Sequence, residues 1–273
     1  MIFPRQRYRL LRDTHLPRGQ MATTRCKTVN ILEVPVAVLD MDSLVALLEK
    51  MICGSCCTAA YGVNAHSLNL TCQYQDFRKA VLDADLIYAD GASLLLAARV
   101  LGGCLPEKLT TTDIWPRLCS LAVARGYSFF FLGGEPGLAE RARDRALMDY
   151  PGLQIVGTHH GYFDLKDTGP IDQINAAAPD VLWVGMGEPR QALWVEAWRQ
   201  HLRAKLILTC GGMFKIVAGE LERVPHKWRQ RGWEWLYRFW QEPRTWRRYL
   251  LGLPAFGLRV LASRFLKPGR AAT

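Results

Sequence analysis

Absences narrow the reading first. The 273-residue chain contains no uninterrupted apolar run of about 18 residues, so a transmembrane helix is not expected. Its opening stretch, MIFPRQRYRLLRDTHLPRGQ, has arginines where a signal peptide needs apolar residues, so a cytoplasmic chain without disulfides is expected. No GxGxxG stands between a strand and a helix and no GxxxxGK[ST] occurs, so neither a dinucleotide fingerprint nor a P-loop is supported. Cys53-Gly54-Ser55-Cys56 is the sole CxxC among eight cysteines. It lacks the second ligand pair of a structural zinc site and follows a helix rather than a strand, which leaves reduced structural thiols as the reading. Internal repeats and low-complexity tracts are missing too.

Acidic residues are scarce in one place. Residues 223–273 hold 12 Lys/Arg against two Asp/Glu, whereas residues 1–222 hold 23 of each, so the last 51 residues carry the whole net charge of +10. A second basic cluster runs from Arg5 to Lys27, with seven basic residues against Asp13, which leaves residues 28–222 at −6. This divides the chain into a basic arm (1–27), an acidic body (28–222) and a cationic appendage (223–273). Cationic ends on an acidic body predict an anionic partner.

In the appendage, five tryptophans interleave with the arginines, a composition suited to a bilayer interface. Trp233, Leu236, Tyr237 and Trp240 fall at helical spacing, either packed on the body or facing that interface. Leu253, Phe256, Gly257, Val260, Leu261 and Phe265 repeat the spacing, with Arg259, Arg264 and Lys267 off the stripe, and predict a second helix with its apolar face toward membrane.

The body alternates between two patterns. A hairpin over Asn30 to Leu39 is followed by strand-like runs at Thr58–Val63, Leu86–Ala89, Tyr127–Leu132, Leu153–Val156, Val181–Val184 and Leu206–Thr209. Helical patterns stand at Ser43–Ile52, Asp76–Asp83, Ser93–Leu101, Ile114–Arg125, Leu138–Asp149, Ile171–Ala177, Arg190–Leu202 and Met213–Ala218. Apolar strands alternating with helices predict an α/β fold: a mostly parallel, Rossmann-like sheet covered by helices, with a helical C-terminal appendage.

The strand ends carry the polar and glycine residues that ligand binding needs. They run into Asn64, into Asp90-Gly91, into Gly133-Gly134, into Gly185-Met186-Gly187 and into Cys210-Gly211-Gly212. In open α/β sheets ligands bind beyond the carboxyl ends of the strands, so successive glycine pairs there point to a nucleotide or nucleotide-sugar site. Asp90 sits where a carboxylate can accept a proton, or where it can cap the helix near Ser93; Asn64 has the same two readings. Asp40-Met41-Asp42 reads as a hairpin end with Asp42 capping the next helix, not as a metal site, and Asp83-Ala84-Asp85 likewise. His159-His160 reads as structural.

Eight ordered blocks carry a family resemblance: YGVNAHSLN, ADLIYADGASLLLAARVLG, LPEKLTTTDIW, FFFLGGEPGLAERA, YPGLQIVGTHHGYF, APDVLWVGMGEPRQALWV, CGGMFKIVAGELERVP and WEWLYRFWQEPRTWRRY. Over about residues 28–252 the chain resembles the bacterial WecG/TagA/CpsF glycosyltransferases. The resemblance implies an inverting, metal-independent enzyme that needs no cofactor. It would move an N-acetylmannosamine-type or related sugar from a UDP donor to a sugar carried on undecaprenyl diphosphate, from the inner face of the cell membrane. It implies Asp90 as general base, and Asn64, Lys108, Thr112, Asp113, Gly133, Gly134, Gly185, Gly187, Gln191, Gly211 and Gly212 as substrate-binding positions. Arg223, Arg238, Arg244 and Arg248 match basic positions of a segment that closes over the site and meets the membrane. Among the departures, Gly62 replaces a Thr, Ala89 a Pro, Lys108 an Arg, Thr111 a Gly, Ala192 a Glu and Lys215 an Asp. A homo-oligomer is left open. Rival readings are a single-stranded nucleic-acid binder, disfavoured because the basic residues lie outside the sheet's ligand edge, and a non-catalytic sugar-nucleotide-binding module.

Overall fold

The computed structural model describes residues 26–225, 227–228, 234–242 and 245–266. Most of the N-terminal arm, Trp233, Arg244 and Lys267 therefore lie outside the described residues. The chain opens with an antiparallel hairpin, β1 (Thr28–Ile31) and β2 (Val34–Ala37). Leu32 and Glu33 turn it with φ of 51° and 66°, the backbone twist that a two-residue hairpin requires.

Six strands then form one parallel sheet in the order β4-β3-β8-β7-β5-β6: β3 (Thr58–Val63), β4 (Leu86–Ala89), β5 (Ser128–Gly133), β6 (Gln154–His159), β7 (Val181–Gly185) and β8 (Leu206–Thr209). The strands are apolar on both sides because helices cover both faces. In β5, Phe130 and Leu132 enter one core while Phe129 and Phe131 enter the other. The first core is closed by α2 (Ala65–Thr71), α3 (Gln75–Leu82), α4 (Ala92–Val100), α7 (Gly169–Ala177) and α8 (Arg190–Trp198). The second is closed by α1 (Met41–Ile52), α5 (Thr111–Arg125), α6 (Leu138–Asp149) and α9 (Met213–Val217).

Connections set where a ligand can enter. The chain leaves β3 toward one edge of the sheet and β5 toward the other, and β7 and β8 later fill the gap between them. Such a switch of direction leaves a crevice beyond the strand ends.

Among the described residues of the tail follow the helices α10 (Glu234–Gln241), α11 (Trp246–Leu250) and α12 (Gly252–Leu266). Phe256 and Val260 of α12 are buried in the first core, against α2. The apolar stripe expected to face membrane is thus split. One half belongs to the protein interior, and Leu261 and Phe265 remain exposed on the other side, beside Leu258, which the stripe did not include. Arg259 also turns inward and donates to Asn69 Oδ1.

Two local expectations are corrected. The N-cap of α1 is Asp40, whose carboxylate accepts from Ser43 N at 2.8 Å, whereas Asp42 lies in the first turn and pairs with Arg117. Helix α2, unforeseen in the sequence, begins directly after Asn64. The segment Ala65–Thr71 shows little polar contrast because Ser67, Asn69 and Thr71 are buried along with Leu68, which removes the periodicity that marks an amphipathic helix.

Candidate active site

A cavity of about 880 Å³ opens beyond the ends of β3, β4, β7 and β8, and α11 and α12 form its far wall. Asp90, Asn64, Lys108, Thr112, Gly187, Gln191, Gly211, Gly212 and Arg248, all expected from the sequence, line it together. A second cavity of about 750 Å³ shares Gly187, Gly211 and Gly212 with the first and adds Gly134, Gly185, Arg190 and Lys215. The two make one trough across the sheet's carboxyl edge.

Asp90 follows β4, and its backbone N–H extends the ladder by donating to Val63 O at 2.8 Å. The N-cap position of α4 is Gly91, at φ 113°, one residue after Asp90. Asn64 caps α2: its Oδ1 accepts from His66 N at 3.0 Å and Ser67 N at 3.2 Å. The same residue lines the cavity, so cap and site coincide there. Gln191 is almost wholly buried and ties two loops together. Its Nε2 donates to Glu188 Oε1 at 2.8 Å, and its Oε1 accepts from Gly211 N at 3.3 Å.

Other expected residues have other employment. Gly133 lines neither cavity; a Cβ there would stand 2.3 Å from Gly185 O, so glycine is needed for the approach of β5 to β7. Asp113 lies outside both linings, accepts from Thr110 Oγ1 and pairs with Arg223. That pair fastens the start of the tail to α5. Lys215, in the second cavity, pairs with Glu242 at 2.9 Å and fastens the tail to α9. Arg238 lies in α10, and its side chain is outside the described residues.

Sequence reasoning passed over His66 and Glu188, which both line the main cavity. Burial, then the Arg248 guanidinium, hold His66 down to about 4, which keeps the imidazole neutral. Burial pushes the Glu188 carboxyl up to about 7, against the lowering effects of the Gln191 hydrogen bond, Arg248 and the Ala192 N–H. The signal was there to read: an acid between the glycines ending β7 and the helix after Pro189. His159 and His160 are held by local bonds and lie outside both cavities. Among the described residues, no three His, Cys, Asp or Glu side chains converge as a metal site needs.

A carboxylate at a strand end, facing a trough walled by glycine loops and an arginine, is the arrangement a sugar-nucleotide enzyme requires. Residues 29–270 match the glycosyl transferase WecG/TagA/CpsF family. The chain belongs to that glycosyltransferase family. Similar proteins include an N-acetylglucosaminyldiphosphoundecaprenol N-acetyl-beta-D-mannosaminyltransferase of Bacillus spizizenii, 29% identical over 185 residues, covering 67% of this chain and 71% of the relative. An enzyme of the same name from Staphylococcus aureus strain MRSA252 is 27% identical, with 64% of this chain and 68% of the relative covered. Another, from strain MW2, is 26% identical, with 72% and 77% covered. As a member of this family the protein is a transferase. None of its described helices is long and apolar enough to cross a membrane.

Proposed function

We propose that this glycosyltransferase moves an N-acetylmannosamine-type sugar from a UDP donor to the sugar of a lipid-diphosphate acceptor, with Asp90 as the general base. The observation that carries the assignment is the place of Asp90: directly after β4, in the wall of the main cavity. The relatives' names supply the substrate class, an undecaprenyl-diphosphate-linked N-acetylglucosamine acceptor and an N-acetylmannosaminyl donor group.

In a single displacement the Asp90 carboxylate takes the proton of the acceptor hydroxyl as its oxygen attacks C1 of the donor sugar from the face opposite the leaving group. UDP departs and the anomeric configuration inverts. Negative charge grows on the leaving diphosphate and must meet positive charge placed in advance. Arg248 and Lys108 line the cavity, and the N-terminal turn of α5 presents its backbone N–H groups through Thr111 and Thr112. Arg223 pairs with Asp113 and lines neither cavity, so the diphosphate is assigned to Arg248 and Lys108, which line the main one. The tail from residue 223 would then serve twice, closing the site through α11 and α12 and resting the enzyme on the membrane that holds its acceptor.

Asp90→Asn tests the base. Transfer, followed by mass spectrometry of lipid products made from UDP-N-acetylmannosamine, should fall at least about 100-fold, the scale of a lost general base. UDP affinity should stay within about threefold, because an amide keeps the side chain's size. Turnover near that of the unmodified enzyme would remove Asp90 from the role.

A further inference from the structure

The displacement leaves Glu188, in the wall of the main cavity, without a task. Glu188 stands in the loop between β7 and α8, with Oε1 accepting from Gln191 Nε2 at 2.8 Å. Its Oε2 is enclosed by protein and has no hydrogen-bond partner among the described residues. An ionised carboxylate left this way is costly, because a buried charge needs partners on both oxygens. Tyr61 and Arg248 interact with it electrostatically, and His66 lines the same cavity. Tyr61, from β3, has a fully buried phenol that burial, and then Glu188 itself, keep protonated. His66, from α2, is neutral, and Arg248, from α11, is the cation that acts on Glu188. Asp90, Lys108 and Glu242 line the same cavity.

We infer that Glu188 takes part in substrate binding as an uncharged carboxylic acid, its protonated Oε2 kept inside the cavity wall instead of ionised beside the diphosphate. This rests on reading the cavity as the donor site. It has a consequence for proton binding. When a diphosphate pairs with Arg248, the field that favours ionised Glu188 is compensated and two further negative charges arrive. The carboxyl then holds its proton more tightly, so donor binding is coupled to proton uptake above neutral pH.

Calorimetric titration of the full chain with UDP, at about pH 7.5 in buffers of different ionisation enthalpy, reads the uptake directly. The unmodified enzyme should take up a substantial fraction of a proton per UDP bound. Glu188→Gln, which keeps the bond from Gln191 and offers an N–H donor in place of the acid, should bind UDP with uptake close to zero. That variant separates Glu188 from His66, the other group that could gain a proton beside a diphosphate. Thermal unfolding supplies a reading independent of ligand. A carboxyl whose folded pKa is raised to about 7 binds more protons folded than unfolded between about pH 4.5 and 7. The unmodified protein should therefore lose stability relative to Glu188→Gln as pH rises through that window, with the gap in Tm widening and then levelling.

Tight UDP binding without proton uptake, or with release, would overturn the proposal in favour of a carboxylate that stays ionised beside the diphosphate. A Tm gap that does not change with pH would overturn it as well. Failure of both proteins to bind UDP would instead remove the donor-site reading, and the proposal with it.

Discussion

Gly62 shows how a single position is decided by its neighbour. Family resemblance places a Thr there, yet a Cβ on Gly62 would come within 2.8 Å of the Tyr88 ring, which is fully buried and has no room to retreat. Tyr88 fills from β4 the space that a larger residue on β3 would take. Gly62→Thr alone should therefore destabilise by about 1–3 kcal/mol, the usual cost of overpacking a tight core. Adding Tyr88→Val should restore much of that loss, and chemical denaturation of the two single variants and the double variant measures the coupling. Strict additivity would mean that the two side chains do not compete for one space. At this scale the sequence pointed to Asp90 because a strand end followed by glycine and helix is visible in one dimension, whereas Gln191 came only from the family resemblance. It could not disclose the Asp113–Arg223 pair, whose members are 110 residues apart. Nor could it show that Gly133 serves strand packing, since that need arises from the Gly185 carbonyl on a neighbouring strand.

Among elements, the parallel strands were legible because their apolar runs are continuous and end in turn residues; β3, β4 and β8 fall where the pattern puts them. Helix α2 was not, and the reason lies in what packs on it. Its Asn69 is buried and acts as a clasp: Nδ2 donates to Gly252 O at 2.7 Å, and Oδ1 accepts from Arg259. Both partners belong to α12, so one polar side chain holds the start and middle of the last helix against the body. Asn69→Ala leaves a carbonyl and a guanidinium without their partner, at a cost of about 1–3 kcal/mol. The expected consequence is local rather than global. Hydrogen exchange should speed up in α12 while the sheet stays protected, and transfer should fall because α12 walls the cavity. Exchange that rises evenly through the sheet would show that α12 is no separately opening unit.

At the scale of the whole molecule, charge and apolar surface are unequally shared, and the inequality has a direction. The segment from 223 to 273 holds all of the net +10, and its exposed surface carries Trp240, Trp246, Leu250, Leu251, Leu258, Leu261 and Phe265. Phe256 and Val260, by contrast, are spent on the core, so the tail cannot be stripped off as an inert anchor. Removing it would uncover apolar residues of α2 and α4, and a truncated body would report on folding as much as on membranes. A cleaner test changes only the outward face. Leu258→Ser with Phe265→Ser leaves the buried stripe and the Asn69 clasp untouched. Each apolar side chain taken out of water contributes about 1.5–3 kcal/mol, and each Lys or Arg near an anionic bilayer about 1 kcal/mol. Sedimentation with phosphatidylglycerol-containing vesicles should therefore show at least tenfold weaker binding for the double variant at low salt. For the unmodified protein, raising salt should remove the arginine contribution and leave the apolar part, whereas the double variant should lose nearly all binding. A nucleic-acid surface would behave oppositely: affinity for single-stranded DNA would collapse with salt and ignore both substitutions. If vesicle binding survives the double substitution at every salt concentration, the outward face of α12 is not the docking surface, and the tail's contribution reduces to its cations.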